Sequence, residues 1–455
     1  MKPAMQNALF ASVLTTEADS AKALDGAVQE LNAALAGRRP DLVAAFVSHH
    51  HGAAIESLGQ RLAQATGARI VIGCTGEGIV GTSQEIERGA ALALWAGLMP
   101  GTDVRPFTIQ AVQDGDKFQF TSMPEVRDRS RSSVVLLADP FTFPASDFLE
   151  RMNEELAGVP VVGGMASGGS GPGQNLLFTQ DGIVESGAVG VVIEGDVEVL
   201  SVVSQGCRPV GKPFVITACK DNFILKLGGK TALQTLMEMI PGLSQADQAL
   251  LQNKPCFVGL AIDAKKSSFD RGDFLVRGMI GVDQKTGAVA VNDHSIRTGQ
   301  TVQFLVRDAA SAGDDLVQLM RQRTGPHRDD RARPAPTASS SPTPVSVPAS
   351  SAASSSSSQA PSSPTGGSRP ASPPSLASRA APASMGALLF SCNGRGTRMF
   401  PKPHHDIGCI QTAFESAVPA AGFFAMGEIG PVGGRNFLHG FTASVAVFRA
   451  RDGTT

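Results

Sequence analysis

One group of polar residues in the C-terminal part of the chain has the composition of a binding site for a molecule with both a carboxylate and an amine. Its members follow or interrupt apolar runs and are Ser391, Cys392, Asn393, Arg395, Asn436, His439 and Thr442. An arginine can pair with a carboxylate through two parallel hydrogen bonds, while amide, imidazole and hydroxyl groups fix the orientation of the ligand. The alternative is that Arg395 anchors its own loop and His439 is a buried residue with satisfied polar atoms, because polar groups at strand ends need partners in any protein.

Two glutamates occupy matching Gly-Glu steps elsewhere in the chain, Glu77 in GCTGEG and Glu428 in AMGEIG. Carboxylates at the carboxyl end of a strand can meet a ligand ammonium in the crevice where open α/β sheets bind their ligands. Cys74 and Thr75, in the turn before Glu77, belong to the same predicted ligand-binding set. The alternative is that each glutamate accepts hydrogen bonds from the N–H groups of its own turn.

A catalytic interpretation of these residues is weaker. Cys392 and His439 would be the nucleophile and base of a hydrolase or transferase. However, a free cysteine is commonly a small buried apolar residue, and the sequence has no nucleophile elbow of the G-x-S-x-G type. No catalytic residue is therefore predicted, and the protein is not expected to be an enzyme.

Two further patterns have ordinary structural explanations. The stretch from Gly76 to Gly81 matches the G-x-G-x-x-G fingerprint of dinucleotide sites, but a glycine-rich turn of this kind is more often a tight strand connection. His49, His50 and His51 are consecutive, and consecutive histidines in a strand point to alternating faces. The run 404–406, His-His-Asp, lies in a proline-flanked stretch. Neither a cofactor nor a metal is predicted.

These residues are embedded in a module that occurs three times. Each copy has an apolar run, a helical stretch, a glycine-rich turn and a final small-residue strand; the copies begin with LVAAFVSHHH, SVVLLADPF and GALLFSCNGRG. Apolar runs bounded by Gly, Pro and Asp are typical of strands buried on both faces, and the segments between them have helical periodicity. The fold class predicted is α/β, with mixed sheets built from degenerate strand-helix-strand-strand modules.

Composition divides the chain further. Residues 325–385 are rich in Ser, Pro and Ala and contain almost no large apolar side chain, which predicts a disordered insert. We predict an N-terminal domain at residues 1–200 and a C-terminal domain at residues 201–324 plus 386–452. In a separate domain of about 70 residues the strands of the third module would lack neighbours, so the low-complexity tract is interpreted as an insertion within the second domain.

Charge and hydropathy exclude several classes of protein. Lys and Arg number 39 against 41 Asp and Glu, and no basic face with interleaved aromatic residues is evident, which argues against nucleic acid as a partner. The longest apolar stretch is too short to span a bilayer, and no signal peptide is recognisable. The six cysteines have no C-x-x-C spacing. A soluble cytoplasmic protein with reduced thiols is expected.

Several motifs resemble those of one known family. GCTGEGIVG at residues 73–81 followed by MPG at 99–101 is similar to the FIST N-terminal domain. SCNGRG at 391–396, GFFAMGEIGP at 422–431 and NFLHGFT at 436–442 are similar to the FIST C-terminal domain. The resemblance covers nearly the whole chain outside the low-complexity insert.

The resemblance implies a sensory module of signal transduction that binds a small ligand such as an amino acid. In bacteria such modules occur alone or beside signalling output domains, and in eukaryotes beside F-box motifs. Because no output domain is recognisable here, a separate output protein is expected to receive the signal. Two alternatives remain open at this stage, a Cys/His-dependent hydrolase or transferase and a protein-interaction scaffold without a ligand.

Overall fold

The structure is a computed structural model of the 455-residue chain. It describes residues 7–325 and 378–451, except for residues 116, 254, 263–265, 267–268, 270–272, 294–295, 380 and 415. The predicted disordered insert therefore lies almost entirely outside the described residues. Its last part is an exception: residues 378–379 pair with the first strand of the chain, and Ala383 bridges to Phe10. Regular structure thus resumes before residue 386.

The N-terminal part of the chain contains the first module and the strands that flank it. Its elements are β1 (Leu9–Thr15), α1 (Ser20–Ala34), β2 (Leu42–Ser48), α2 (Leu58–Thr66), β3 (Ile70–Gly76), β4 (Ile79–Val80), β5 (Glu85–Ile86), β6 (Leu92–Leu98), β7 (Thr102–Ile109), β8 (Ala111–Asp114) and β9 (Lys117–Phe120). Asp19 caps α1 by accepting a hydrogen bond from the N–H of Lys22 at 2.9 Å. A short 3₁₀ helix, His49–Ser57, follows β2, so the three histidines lie outside the strand.

The middle of the chain contains the second module and a region rich in strands. Its elements are β10 (Ser132–Ala138), α3 (Ala145–Glu155), β11 (Val161–Met165), β12 (Leu177–Thr179), β13 (Gly182–Val184), β14 (Ala188–Gly195), β15 (Val197–Ser204), β16 (Cys207–Lys220), β17 (Phe223–Leu227), β18 (Lys230–Thr231), α4 (Ala232–Met239), α5 (Gln245–Asn253), β19 (Cys256–Ala261), β20 (Phe274–Asp283), β21 (Ala288–Val291), β22 (Thr301–Arg307) and α6 (Ala309–Thr324).

The third module completes the fold. Its elements are β23 (Ser378–Arg379), β24 (Met385–Cys392), α7 (His405–Ala413), β25 (Ala420–Ala425), β26 (Glu428–Val432), β27 (Arg435–His439) and β28 (Ala443–Ala450). The described part of the chain is thus a mixed α/β structure, as predicted. Among the described residues, no helix combines the length and the apolar character needed to cross a membrane.

All three modules have the same strand arrangement. A central strand (β2, β10 or β24) lies between a parallel partner (β3, β11 or β25) and an antiparallel one (β6, β14 or β28). The central strand and its parallel partner are joined through a helix, α2, α3 or α7, which is the connection that parallel strands require. The threefold repetition in the sequence is therefore a threefold repetition of structure.

The modules exchange hairpins in a closed cycle. After its second strand, module one sends β4 and β5 to β25 of module three, module three sends β26 and β27 to β11 of module two, and module two sends β12 and β13 to β3 of module one. On the far side of each antiparallel strand lies one more strand, β1 beside β6, β7 beside β14 and β15 beside β28, and β23 pairs with the outer side of β1. Residues from the two ends of the chain consequently share sheets.

The three sheets share one apolar core. Phe46 of β2 packs against Phe423 of β25 with ring centroids 5.3 Å apart, and Trp95 of β6 packs against Phe448 of β28 at 4.6 Å. The opposite faces are covered by α1 and α2 on the first sheet, by α3 on the second and by α6 and α7 on the third. Because both faces of each sheet are buried, the strands read as unbroken apolar runs in the sequence.

One glycine recurs at the same place in each module. Gly73 in β3, Gly163 in β11 and Gly422 in β25 face the central strands at Ala45, Leu136 and Leu389. A Cβ added at any of them would overlap the carbonyl oxygen of the residue opposite. Glycine at this position therefore permits a close approach of two backbones.

A fourth sheet has its own core. Its strand order is β16, β22, β19, β20, β21, β17 and β18, and α4 and α5 contribute to its packing. Its other face carries an apolar cluster that includes Phe257 of β19 and reaches Phe441, just before β28. The predicted domain boundary at residue 200 falls within β15, and the division into two domains stays a prediction.

Candidate functional site

Arg395 and Asp406 form a fully buried ion pair. Arg395 lies in the turn after β24, and Asp406 lies in the first turn of α7. Nε and Nη2 of Arg395 donate to Oδ2 and Oδ1 of Asp406 at 2.6 and 2.7 Å, and neither side chain is more than 1 % exposed. Burial alone would raise the pKa of the Asp406 carboxyl, but the charge and hydrogen bonds of Arg395 outweigh it and hold that pKa well below its usual range. Ser391 also donates to Oδ2 at 2.7 Å.

This geometry corrects one sequence-based expectation. The Nε and Nη2 groups of Arg395 both donate to Asp406, so they are not free to bind a ligand carboxylate. Its remaining nitrogen, Nη1, is buried and has no hydrogen-bond partner among the described residues. The guanidinium also lies over the Phe400 ring, with Cζ 5.2 Å from the centroid. A Cβ at Gly206 would lie 2.6 Å from Nη1, so glycine at this position leaves space beside that nitrogen.

Glu428, the first residue of β26, is fully buried beside this pair. Its Oε2 accepts hydrogen bonds from the N–H and Oγ1 of Thr442, at 2.9 and 2.7 Å, whereas Oε1 is unpartnered among the described residues. Burial raises the pKa of Glu428 to about 7, against the opposing effects of hydrogen bonds from Thr442 and Cys392 and of the Arg395 charge. The carboxyl therefore titrates close to neutral pH.

Arg307 is a second arginine at this place, and the sequence analysis did not identify it. It is the last residue of β22, and its Cζ lies 5.0 Å from the centre of the Phe441 ring. Nε and Nη2 are buried without a hydrogen-bond partner in the described part of the chain. Burial lowers the pKa of Arg307, and the nearby charge of Arg395 lowers it further. In the sequence, Arg307 is noticeable as a basic residue at the end of an apolar run. Nothing in the sequence indicates that it contacts the turn after β24.

These side chains meet around the turn that follows β24. A Cβ placed on Gly394 would lie 3.5 Å from Nη1 of Arg307, 3.5 Å from the Phe441 ring and 3.7 Å from Sγ of Cys392. Asn393 contributes a buried Oδ1 that has no partner among the described residues. We refer to the following residues as the polar cluster: Arg307, Cys392, Asn393, Arg395 and Glu428.

Cys392 and His439 do not form a nucleophile and base pair. Burial raises the pKa of the Cys392 thiol to about 12, with a further contribution from Glu428, so the thiolate is not available at neutral pH. Its Sγ accepts from the N–H of Gly394 at 3.4 Å. The Nε2 of His439 pairs with the carbonyl of Gly430 at 2.9 Å, and burial lowers the pKa of the imidazole to about 4. Within the described residues, no hydrogen bond joins Cys392 to His439.

Of the other predicted residues, two lie close to the polar cluster and the others lie apart from it. Ser391 adjoins it through Asp406. Thr442 holds the carboxyl of Glu428. Cys74 points into the core shared by the three sheets. Thr75 accepts a hydrogen bond from the N–H of Leu176 at 3.0 Å.

Glu77 and Asn436 bind other parts of the fold. Glu77 pairs with Arg398, which also donates to the carbonyl of Asn393 at 2.8 Å, so Glu77 contacts the turn from outside the polar cluster. Asn436 accepts from the N–H of Val161 at 2.8 Å and donates to the carbonyl of Val159 at 3.0 Å. It therefore anchors β27 to the start of β11.

The glycines of the G-x-G-x-x-G stretch are explained by packing. A Cβ at Gly76, Gly78 or Gly81 would approach Phe423, Phe424 or Leu14 to within 2.9, 2.8 and 2.6 Å, respectively. These glycines let β4 cross to the third module, and no phosphate is needed to account for them.

The predicted His-His-Asp run also has structural roles. His404 accepts a hydrogen bond from the N–H of Glu85 at 2.9 Å, and His405 stacks on Phe400 with centroids 3.4 Å apart. In the part of the chain that the structure describes, no three His, Cys, Asp or Glu side chains are grouped so as to hold a metal ion.

The titration of Glu428 predicts a pH dependence of stability. A carboxyl whose pKa is raised on folding stabilises the protein fully below its ordinary pKa of about 4.5, and this stabilisation is lost as the pH rises through about 7. In the wild type the free energy of unfolding should therefore fall by up to about 1.4 kcal/mol per pH unit between those two values. In Glu428→Gln, which has no carboxyl at this position, this fall should be absent. Urea unfolding at pH 4.5, 6 and 8 measures it, with the exposed Glu150→Gln as control. Identical pH profiles for wild type and Glu428→Gln would contradict the assignment.

Two family models match this chain along most of its length. The family model of the FIST N domain matches residues 41–230, and that of the FIST C domain matches residues 232–431. An uncharacterized protein of Mycobacterium bovis is 34 % identical over 433 residues, covering 95 % of this chain and 97 % of the relative. An uncharacterized protein of Mycobacterium tuberculosis is 34 % identical over 436 residues, covering 96 % and 98 %. The matched regions include every residue of the polar cluster.

Proposed function

This chain belongs to the FIST family of signal-transduction sensory domains, and on that premise we propose that it senses a small ligand with a carboxylate and an ammonium group, an amino acid, at the polar cluster. The observation that carries the proposal is the set of five unpartnered polar atoms there: Nη1 of Arg395, Nε and Nη2 of Arg307, Oε1 of Glu428 and Oδ1 of Asn393. A buried polar atom without a partner costs roughly 1–3 kcal/mol, and a bound ligand that supplies the partner removes this cost.

The charges in the polar cluster match those of an amino acid. The free nitrogens of Arg307 and Arg395 are donors suited to a carboxylate, and Arg307 can present two of them side by side. Glu428 Oε1 and Asn393 Oδ1 are acceptors suited to an ammonium group. A bound ammonium would favour the charged form of Glu428, whose pKa of about 7 leaves it poised between its two states. The ligand thus satisfies donors and acceptors together.

The signal has a structural route out of the site. The turn that carries Arg395 continues into Thr397, whose N–H and hydroxyl donate to Glu87 at 2.8 and 2.6 Å, and into Arg398, which pairs with Glu77. Both glutamates belong to the region around the exchanged hairpin of module one. Ligand binding that reorders this turn would alter that surface, and a separate output protein would read the shift in population. The six free cysteines fit a reducing compartment, the cytoplasm.

Arg307 is the residue to change in a test of the ligand site. Removing Arg395 would take the guanidinium away from the buried carboxylate of Asp406, whereas removing Arg307 breaks no ion pair in the described structure. We expect a panel of amino acids to contain at least one that raises the melting temperature of the wild type, because a ligand at 100 times its Kd stabilises the folded state by about 2.7 kcal/mol. Arg307→Gln should weaken that binding by at least about tenfold.

The matched control is Arg435→Gln, which removes an exposed arginine that lies outside the turn after β24. The Arg435 side chain is 51 % exposed and pairs with Glu150, so the affinity of this variant for the ligand should stay within about twofold of the wild type. Isothermal titration calorimetry on the three proteins compares the Kd values directly. Equal binding by Arg307→Gln and the wild type would refute the site, and a wild type indifferent to every amino acid in the panel would refute the ligand class.

A further inference from the structure

A cavity lies on the same face of the fourth sheet as Arg307. In the antiparallel pairing of β16 and β22, Cys207 lies opposite Arg307 and Pro209 lies opposite Leu305. Side chains alternate along a strand, so Arg307 and Leu305, two residues apart, point to the same side. Cys207, Pro209 and Leu305 all line a cavity of about 50 Å³. Cys207 is therefore a neighbour of both the cavity and the guanidinium of Arg307.

A second observation links the cavity to the polar cluster. Burial raises the pKa of the Cys207 thiol to about 12, and the charges of both Arg307 and Arg395 oppose that rise, so both guanidiniums act on this side chain. The adjacent residue, Gly206, is the one whose missing Cβ leaves space beside Nη1 of Arg395. The segment from Gln205 to Cys207 thus faces the cavity and the unpartnered nitrogens together.

The wall of the cavity is largely apolar. Phe274, Val276 and Leu305 come from the fourth sheet and Leu319 comes from α6. Asp315 of α6 also lines the cavity, and its Oδ2 accepts a hydrogen bond from the Ser204 hydroxyl at 2.7 Å. The amide of Gln205, which also lines it, is fully used: its Nε2 donates to the carbonyl of Phe274 at 2.6 Å and its oxygen accepts from the N–H of Val276 at 3.0 Å. At roughly 10–15 Å³ for each water-sized group, 50 Å³ holds about four such groups.

We infer that this cavity is the side-chain pocket of the ligand site and that the sensed amino acid is aliphatic, with a side chain of about three to four heavy atoms. The inference rests on the proposed amino-acid function. With the carboxylate on Arg307, the ligand side chain extends along the sheet past Cys207 and enters the cavity. Branched or thioether side chains of this size fill the space, whereas glycine leaves it empty, an acidic side chain would face Asp315, and the side chains of lysine and arginine are too long for it.

The test compares ligands and cavity-filling variants by isothermal titration calorimetry. The wild type should bind leucine at least about tenfold more tightly than glycine, because filling a hydrophobic pocket discriminates by factors of 10–200 for each methylene. Val276→Leu adds a methylene to the cavity wall and should weaken leucine binding by at least about tenfold while leaving glycine within about twofold. Val215→Leu makes the same change at a position of β16 that is 45 % exposed and should leave both affinities unaltered.

Leu319→Phe fills the cavity from α6 and serves as the second variant should Val276→Leu fold poorly, which its thermal melting curve reports. Three outcomes are distinguishable. Loss of leucine affinity with retention of glycine affinity supports the inference. Equal affinity of the wild type for leucine and glycine, or a ratio unmoved by both filling variants, overturns the side-chain pocket and leaves the amino-acid site standing. Failure of the wild type to bind any amino acid overturns both.

Discussion

Asp406→Ala should lower the free energy of unfolding by about 3–5 kcal/mol, the usual cost of leaving one member of a buried ion pair without its partner. Arg395 is completely buried, and two of its three guanidinium nitrogens depend on Asp406. The same substitution removes the acceptor of Ser391. Because Nη1 of Arg395 is already unpartnered, the arginine would be left with no hydrogen-bond acceptor for its guanidinium among the described residues.

Urea unfolding of wild type and variant measures the effect, and two further variants make it specific. Glu150→Ala breaks the ion pair with Arg435, whose side chains are 56 % and 51 % exposed, and should cost less than about 1 kcal/mol. The double change Arg395→Met with Asp406→Leu removes both charges and should recover most of the loss, because apolar replacements of a whole buried pair are often neutral. A loss below about 1 kcal/mol in Asp406→Ala would contradict the importance of the pair.

Gly163→Ala should destabilise the protein by about 3 kcal/mol or more. The new Cβ would overlap the carbonyl oxygen of Leu136 in the neighbouring parallel strand, and only a shift of the backbone relieves that overlap. Gly422 has the same relation to Leu389 in the third module, so Gly422→Ala should have a comparable effect. A single methyl group is thus expected to disrupt the pairing of the central strand with its parallel partner.

Gly26→Ala is the matched control for this prediction. Gly26 lies within α1, and a Cβ there meets nothing within 4 Å, so alanine should stabilise the protein by roughly 0.5–1 kcal/mol through its higher helix propensity. The same chemical change is therefore expected to have opposite signs at the two positions. Unfolding in urea decides between the outcomes, and a Gly163→Ala protein as stable as the wild type would show that β10 and β11 can separate without cost.

The polar cluster is assembled from distant parts of the chain. Arg307 comes from the end of β22 in the fourth sheet, Arg395 from the turn after β24, and Glu428 from the hairpin that module three sends to module two. Burying these charged groups lowers the stability of the fold. Packing in the core that the three sheets share, which includes Phe46, Trp95, Phe423 and Phe448, offsets that loss. The geometry of the polar cluster therefore depends on the relative positions of the turn, the hairpin and the fourth sheet.

Much of this organisation follows from the sequence alone. The three modules, their strands and their crossover helices were predictable because burial on both faces of a strand leaves an unbroken apolar run, and an amphipathic helix leaves a period of 3.6. Cys392, Asn393, Arg395 and Glu428 were also identified, since polar residues at the carboxyl ends of buried strands are noticeable against such runs. These signals are local, so each can be read within a few neighbouring residues.

The tertiary structure alone decided how these parts combine. The closed exchange of hairpins pairs Ile79 with Phe423 and Gly163 with Ile429, over separations that no periodicity encodes. Arg395 was predicted to bind a ligand carboxylate through two parallel hydrogen bonds, but Asp406 accepts both of them. Arg307, which belongs to another sheet, contributes to the same site. Strand partners are chosen by burial and backbone fit across the whole fold, and an arginine pairs with whichever carboxylate lies within hydrogen-bond distance. Both are properties of the assembled core, and neither leaves a mark in the spacing of residues along the chain.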